Sequence, residues 1–170
     1  MPQKNVRSKF IADPFRFAQE GRVIDGELPV AGFLRLADSL ADSAGNVQYR
    51  ISGALDAEQR PILTVVINGQ LMLRCQRCLD SVAWTLAVSS ALFPVRAGRP
   101  IPEEELEDDT VDAFEVDGEI DVATLIEDEI LLGVPLVPRH ETCDVPGPEK
   151  NGDGKASPFA VLASLRGGKA

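Results

Sequence analysis

An alternation of apolar and polar residues runs through the middle of the chain, and it limits the possible folds more than any other feature. Its clearest stretch places every second residue on one side of an extended strand: Val82, Trp84, Leu86, Val88, Ser90 and Leu92. Residues 47–51 alternate in the same way, 62–67 are rich in β-branched side chains, and 71–75 share one face. Short connections between these segments predict antiparallel pairing.

Helical signals flank this β-rich region. Asp13-Pro14 and Gly21 bracket a short predicted helix, and 22–30 reads as a short strand. Apolar spacing predicts a helix over 33–44, and Asn68-Gly69 is typical of a turn or bulge. Asp121 is the expected N-cap of a helix over 121–132. We therefore expect an α+β fold: an antiparallel sheet, curled or barrel-like as one alternative, with N-terminal, post-sheet and C-terminal helices.

The chain length and its composition predict one domain with a tail. Residues 1–141 form the predicted α+β domain, which includes an acidic loop over 98–118. A Pro- and Gly-rich linker is expected over 142–156, followed by a short helix over 157–166. Phe159, Leu162 and Leu165 form an apolar stripe on that helix, which is too short to be stable alone in water. It is expected to dock on its own domain or on a partner, and the sequence leaves both open.

Charge is distributed unevenly along the chain. The net charge is −10, yet fourteen of the 27 acidic residues lie between Glu103 and Glu129, where there is no Lys or Arg. The remainder carries a net charge of +4, which leaves room for a basic surface. Glu127, Asp128 and Glu129 read as part of a solvated helix face, with a partner-binding role of Glu127 and Asp128 as the alternative. Four arginines are predicted to lie at one end of the sheet, where they could contact RNA phosphates: Arg74, Arg77, Arg96 and Arg99.

Two residue pairs have metal-ligand spacing. Cys75 and Cys78 are separated by two residues at a predicted strand end, and His140 and Cys143 have the same spacing. Together they could form a Cys₃His zinc site, although the long span between the pairs does not by itself bring them together. The alternative is that the cysteines are small buried hydrophobes. A redox motif of the thioredoxin type fits less well, because such motifs begin a helix after a parallel strand.

Other features exclude several classes of function. The chain shows no nucleophile–base pattern and no phosphate-binding Gly loop, so we expect neither an enzyme nor a small-molecule substrate. No apolar run approaches a membrane span, and residues 1–15 lack the apolar core of a secretory signal. An odd number of cysteines argues against a secreted disulfide framework. These observations predict a cytoplasmic protein that does not contact the membrane.

Three segments, in order, resemble the YceD family of bacteria and plastids: residues 71–78 ending in Cys-Gln-Arg-Cys, 118–138, and 158–165. The resemblance implies a non-catalytic ribosome biogenesis factor that supports synthesis, processing or accumulation of 23S rRNA. Its implied partners are ribosomal RNA or pre-50S particles, reached directly or through a basic ribosomal protein or processing factor. Some relatives have a second cysteine pair where this chain has His140 and Cys143. The alternatives are a protein–protein adaptor without RNA contact and a small zinc-binding or redox protein.

Overall fold

The computed structural model describes residues 9–100 and 111–143. The predicted C-terminal helix over 157–166, nearly all of the predicted linker and half of the predicted acidic loop lie outside these residues.

The described residues form eight strands and two α-helices. Helix α1 is Pro14–Gln19 and helix α2 is Val122–Gly133. The strands are β1 (Phe10–Ile11), β2 (Val23–Pro29), β3 (Leu40–Asp42), β4 (Asn46–Leu55), β5 (Pro61–Arg74), β6 (Ser81–Arg96), β7 (Asp112–Val116) and β8 (Ile120–Asp121). Asp13 and Asp121 cap the two helices through their side chains, as the sequence predicts.

Six strands form an open sheet in the order β2-β4-β5-β6-β7, with β3 pairing on the last residues of β5. The pairs β2-β4, β4-β5 and β5-β6 are antiparallel, which confirms the predicted mixed α+β fold. Strand β7 pairs in parallel with β6, because the chain crosses over before entering it. The barrel-like alternative is wrong: within the described residues β2 and β7 are separate edges of the sheet.

One face of the sheet carries the core. Alternate residues of β5, from Leu63 to Leu73, are buried and lie opposite the alternating apolar residues of β6. Both helices cover this face. A Cβ at Gly53 would lie 2.6 Å from the Ala18 Cα of α1, and one at Gly133 of α2 would lie 2.9 Å from Val88. The packed face therefore explains the clean period of two in the sequence.

The helix predicted over 33–44 is wrong. The segment contains a 3₁₀ turn at Ala37–Ser39 and then becomes β3. Phe33, Leu36 and Leu40 are all buried, so the apolar spacing did report burial. The Glu127 carboxylate accepts the backbone N–H groups of Arg35 and Leu36, and Leu40 pairs with Leu73 of β5, so the second half of the segment is extended instead of helical.

Asn68 and Gly69 do not form the predicted turn or bulge. Both lie inside β5, and their pairing with Ala87 and Leu86 of β6 is in register. A Cβ at Gly69 would lie 3.1 Å from a methyl group of Val47, so a residue without a side chain is favoured there by close packing. The long strand β5 consequently continues to the cysteine pair.

Neither α-helix in the part of the chain that the structure describes is long and apolar enough to cross a membrane.

Candidate metal centre at the end of the β5–β6 hairpin

The first cysteine pair lies in the turn that joins β5 to β6. The Cys75 backbone N–H donates to the Asp80 carbonyl at 2.9 Å, and the Leu79 N–H donates to the Cys75 carbonyl at 2.9 Å. Leu79 adopts a left-handed conformation with φ of 67°, which turns the chain sharply after Cys78. The tight turn directs both thiols toward the same point.

The second ligand pair, His140 and Cys143, follows α2 in the chain and lies beside this turn. After Gly133 the chain runs back along the hairpin end, and the Gln76 N–H donates to the Pro138 carbonyl at 2.8 Å. This contact places His140 and Cys143 beside the cysteine turn. The ligand atoms of Cys75, Cys78, His140 and Cys143 all lie within 4.8 Å of one another. The structure thus brings together the two pairs that spacing alone could not join.

The hydrogen bonds of His140 orient its ring for metal binding. Its Nε2 lies 3.1 Å from the Ser81 carbonyl oxygen, which can only accept a hydrogen bond. The hydrogen is therefore on Nε2, and the lone pair of Nδ1 lies toward the cluster, 3.5 Å from the Cys78 Sγ. A carbonyl that holds the second ring nitrogen is the usual support of a metal-ligating histidine.

The thiols differ in their affinity for protons. The pKa of Cys75 is lowered to about 5, chiefly by the backbone N–H of Cys78; burial opposes this, and the N–H groups of Arg77 and His140 assist it. The pKa of Cys78 is raised to about 11: the Asp80 N–H lowers it, but burial and the neighbouring thiols of Cys75 and Cys143 outweigh that bond. The Cys75 thiolate is therefore held by N–H donors, while Cys78 retains a proton that a divalent cation would displace.

The donor set fits zinc. Zn–S and Zn–N bonds of about 2.3 and 2.0 Å put the ligand atoms of a tetrahedral Cys₃His site about 3.5–3.8 Å apart. The ligand atoms lie at most 4.8 Å apart, so the two most distant atoms would need to approach each other by only about 1 Å to bind one zinc ion. Three thiolates and an imidazole are soft and borderline donors, which favour Zn²⁺ over Mg²⁺ or Ca²⁺. Four protein ligands complete the tetrahedron and leave no position for a substrate, as in structural zinc sites.

The same geometry argues against a thiol enzyme. Cys75 and Cys78 lie between two antiparallel strands, so no helix N-terminus activates them as in thioredoxin-type motifs. The thiol beside His140 is Cys78, and its pKa is raised, whereas a nucleophilic cysteine beside a histidine has a lowered pKa. The thiol with the lowered pKa, Cys75, is 0% exposed and so not accessible to a substrate.

The four arginines predicted to form one cluster are divided between two ends of the sheet. Arg74 and Arg77 are exposed beside the cysteine turn. Arg96 ends β6 at the other end, roughly 50 Å along the strand from the residue that pairs with Arg74, and Arg99 follows it. The Arg96 guanidinium lies 4.2 Å from the centre of the Phe15 ring. The structure adds an exposed arginine at the metal end, Arg139, which precedes the ligand His140.

The favoured interpretation of the acidic helix is wrong for two of its residues. Glu127 and Glu129 are only 8% and 6% exposed and face inward. The Arg35 guanidinium donates to Glu127 at 3.1 Å and also to Asp128, so this group of three side chains, the Arg35 junction, fastens α2 to the segment before β3. The Glu127 carboxylate is used in this internal contact. Arg35 gave no signal in the sequence, because its role depends on a residue 92 positions away.

The remaining predicted partner-binding residues, Phe159, Leu162 and Leu165, lie outside the described residues.

Comparison with known proteins supports the resemblance. The family described as "Large ribosomal RNA subunit accumulation protein YceD" matches residues 63–166. A protein of that name from Haemophilus influenzae is 30% identical over 178 aligned residues, which cover 96% of this chain and 98% of the relative. No solved structure matches the chain. The matched region contains the β5–β6 hairpin except the first two residues of β5, and all four residues of the candidate metal centre.

Proposed function

The chain belongs to the YceD family, and from that premise we propose that it is a non-catalytic factor that supports accumulation of the 23S RNA of the large ribosomal subunit. The observation that carries the proposal is the match to the Haemophilus protein, which covers nearly all of both chains. A match of that extent includes the hairpin, α2 and the tail together. It is therefore a likeness between whole proteins rather than between isolated motifs.

A cytoplasmic site of action follows from this proposal, because 23S rRNA is made and assembled in the cytoplasm. The proposed partner is the large-subunit RNA or a pre-50S particle. At the metal end of the sheet, Arg74, Arg77 and Arg139 are the residues that would contact phosphates. Each lies next to a proposed metal ligand in sequence, so the metal centre would hold their backbone in place.

A basic ribosomal protein or processing factor is the second proposed partner, and the acidic stretch is the surface that would receive it. The inward orientation of Glu127 and Glu129 leaves the part around β7 and β8 for this role. Its exposed acids are Asp112, Glu115, Asp117 and Glu119.

We further propose that Cys75, Cys78, His140 and Cys143 bind one structural zinc ion. The closed donor set, the Ser81 support of His140 and the N–H groups around Cys75 all favour this role. In such a role the ion fastens residues 134–143 to the end of the β5–β6 hairpin.

The ratio of 23S to 16S rRNA in cells depleted of the protein tests the main proposal. We expect a selective fall in 23S that the wild-type gene restores. The double variant Arg74→Ala/Arg77→Ala should restore it less well than Arg96→Ala/Arg99→Ala, a matched pair of arginine losses at the far end of the sheet. An unchanged ratio on depletion would refute the proposed function.

Crosslinking in the same cells separates the RNA proposal from an adaptor role. Crosslinks to 23S rRNA that weaken in Arg74→Ala/Arg77→Ala support direct RNA contact. Crosslinks to protein alone, together with a normal response of that variant, would favour an adaptor without RNA contact.

A further inference from the structure

A groove lined mainly by apolar side chains lies beside the metal centre. It measures about 310 Å³ and lies between the start of β6 and the segment that follows α2. Trp84 and Val82 line one side, and Pro135, Val137 and Pro138 line the other. Trp84 is only half-buried, although Leu71, its partner across the β5–β6 ladder, is almost fully buried.

Large apolar side chains are unusually exposed around this groove. Leu136 is 100% exposed, Leu132 79% and Val137 60%. Single exposed leucines need no explanation, but these three lie within six residues of one segment, and Val137 of that segment lines the groove, which indicates a surface that another element covers.

The chain itself supplies a segment of suitable chemistry. Residues 158–165 read Pro-Phe-Ala-Val-Leu-Ala-Ser-Leu, in which Phe159, Leu162 and Leu165 recur at helical spacing. A cavity of about 150 Å³ holds a benzene molecule, so the groove has room for an aromatic ring and a branched aliphatic side chain.

The tether brings this segment to the groove. The described residues end at Cys143, which belongs to the cluster of candidate metal ligands. Cys75 of the same cluster lies two residues after Leu73, which lines the groove. Fourteen residues, 144–157, then connect Cys143 to Pro158. A random-coil chain of fourteen residues has a root-mean-square span of roughly 20 Å, so this length of chain is enough to reach a groove next to its own anchor. A connection of about this length gives an effective concentration in the millimolar range, which favours the chain's own segment over free partners.

We propose that residues 158–165 dock in the groove beside Trp84 and place Phe159 and Leu162 against Trp84, Pro135 and Val137. The proposal assigns an intramolecular partner to the apolar stripe of the C-terminal segment. It is independent of the role in rRNA accumulation, because it concerns the purified chain alone.

Trp84 is the chain's single tryptophan, so its fluorescence reports on this groove alone. The test uses the full chain and the double variant Phe159→Ser/Leu162→Ser. We expect the variant to shift Trp84 emission to longer wavelength and to increase its quenching by acrylamide. Val161→Ser is the matched control, because at about 100° per residue Val161 lies on the side opposite Phe159.

A peptide of residues 156–168 completes the test. Added to the double variant, it should restore the wild-type emission with half-saturation below the ~1 mM effective concentration of a short tether. Far-UV circular dichroism verifies that the variant has kept its fold. Trp84 emission and quenching that do not respond to Phe159→Ser/Leu162→Ser would overturn the proposal. A wild-type signal that disappears on dilution would overturn it as well, since a second copy would then be the occupant.

Discussion

Two clusters of polar side chains join distant parts of this chain. They differ in whether the charged and hydrogen-bonding groups of the cluster have partners within it. In the Arg35 junction, a cation meets two carboxylates, and Glu127 also accepts backbone N–H groups. At the metal centre, three thiols and an imidazole lie within 4.8 Å of one another without an opposing charge among the four. The charges of the Arg35 junction are paired within it, whereas the metal centre offers ligand atoms for a cation.

The comparison explains why one cluster is a candidate site and the other is a part of the fold. A buried carboxylate with a guanidinium and N–H donors has its hydrogen-bonding capacity used internally. Within the described residues no buried side-chain nitrogen or oxygen lacks a partner. The groups still available to bind a ligand are the cysteine sulfur atoms and the His140 Nδ1.

The largest expected effect comes from breaking the metal centre. Cys75→Ser should reduce zinc from about one ion per chain to almost none, because a tetrahedral structural site needs all four ligands. Structural zinc in small domains contributes about 10–16 kcal/mol of binding free energy, so residues 134–143 should detach from the hairpin. Elemental analysis gives the zinc content, and hydrogen exchange at the Gln76 N–H, which donates to Pro138, reports the detachment.

Thr142→Ala is the matched control for Cys75→Ser, because it changes a neighbour of a ligand and leaves all four donors. His140→Cys sharpens the test further: a fourth thiolate can replace the imidazole, so this variant should retain zinc while His140→Ala loses it. Equal zinc content in Cys75→Ser and the wild type would show that the cluster is not the metal site.

The second effect in size comes from breaking the Arg35 junction. Glu127→Ala leaves two backbone N–H groups without their acceptor and removes one of the two carboxylates that the Arg35 guanidinium contacts, so we expect a loss of about 1–3 kcal/mol in unfolding free energy. Glu127→Gln, which retains an oxygen acceptor, should lose less. Urea unfolding measures the change, and zinc content should stay the same in both variants. A loss of zinc would mean that the two clusters are not independent.

Some features of the fold and of the two clusters could be predicted from the sequence, and others could not. The period of two located β4, β5 and β6, and the helix caps located α1 and α2, because these signals are local. The two ligand pairs were visible as well, since each is local. Their convergence was not, because it depends on the return of the chain after Gly133. Glu127 was misread because its burial depends on Arg35 in a distant segment, which charge pattern along one helix cannot reveal.

Two errors have a common physical cause. The spacing of Phe33, Leu36 and Leu40 reported burial correctly, and Asn68-Gly69 has the composition of a turn. In both places a tertiary contact decided the backbone: the pairing of Leu40 with Leu73 of β5 in the first and the close approach of Val47 in the second. Local preference is a weak constraint wherever such a contact competes with it.

Glu129 provides a smaller test, because it is a buried acid on the same helix and, among the residues that the structure describes, no cation forms a hydrogen bond with it. Burial raises its pKa above the ordinary value of 4.5; a Ser90 hydrogen bond opposes this, and the charges of Asp112 and Asp128 add to it. Because the folded pKa lies above the unfolded one, Glu129 reduces stability as pH rises from 4.5 through the folded pKa. Glu129→Gln should therefore gain stability relative to the wild type at pH 7 but not at pH 4.

Thermal unfolding of both proteins at the two pH values measures this difference. Asp112→Asn is a useful comparison, since it removes one of the two acids that raise the Glu129 pKa and should produce a change of the same sign but smaller size. A wild type that is more stable than Glu129→Gln at pH 7 would contradict the prediction.

The smallest effect is expected at Asp128, the exposed member of the Arg35 junction. Its side chain is 47% exposed, so solvent screens its ion pair with Arg35, and Asp128→Ala should cost only about 0.2–1 kcal/mol. The same urea titration that is used for Glu127→Ala measures it. If Asp128→Ala cost as much as Glu127→Ala, the junction would depend on total charge rather than on the buried acceptor that Glu127 provides. A small cost would show that the junction is stabilised mainly by the hydrogen bonds that the Glu127 carboxylate accepts from the Arg35 and Leu36 backbone. A charge at a distance could not replace those bonds.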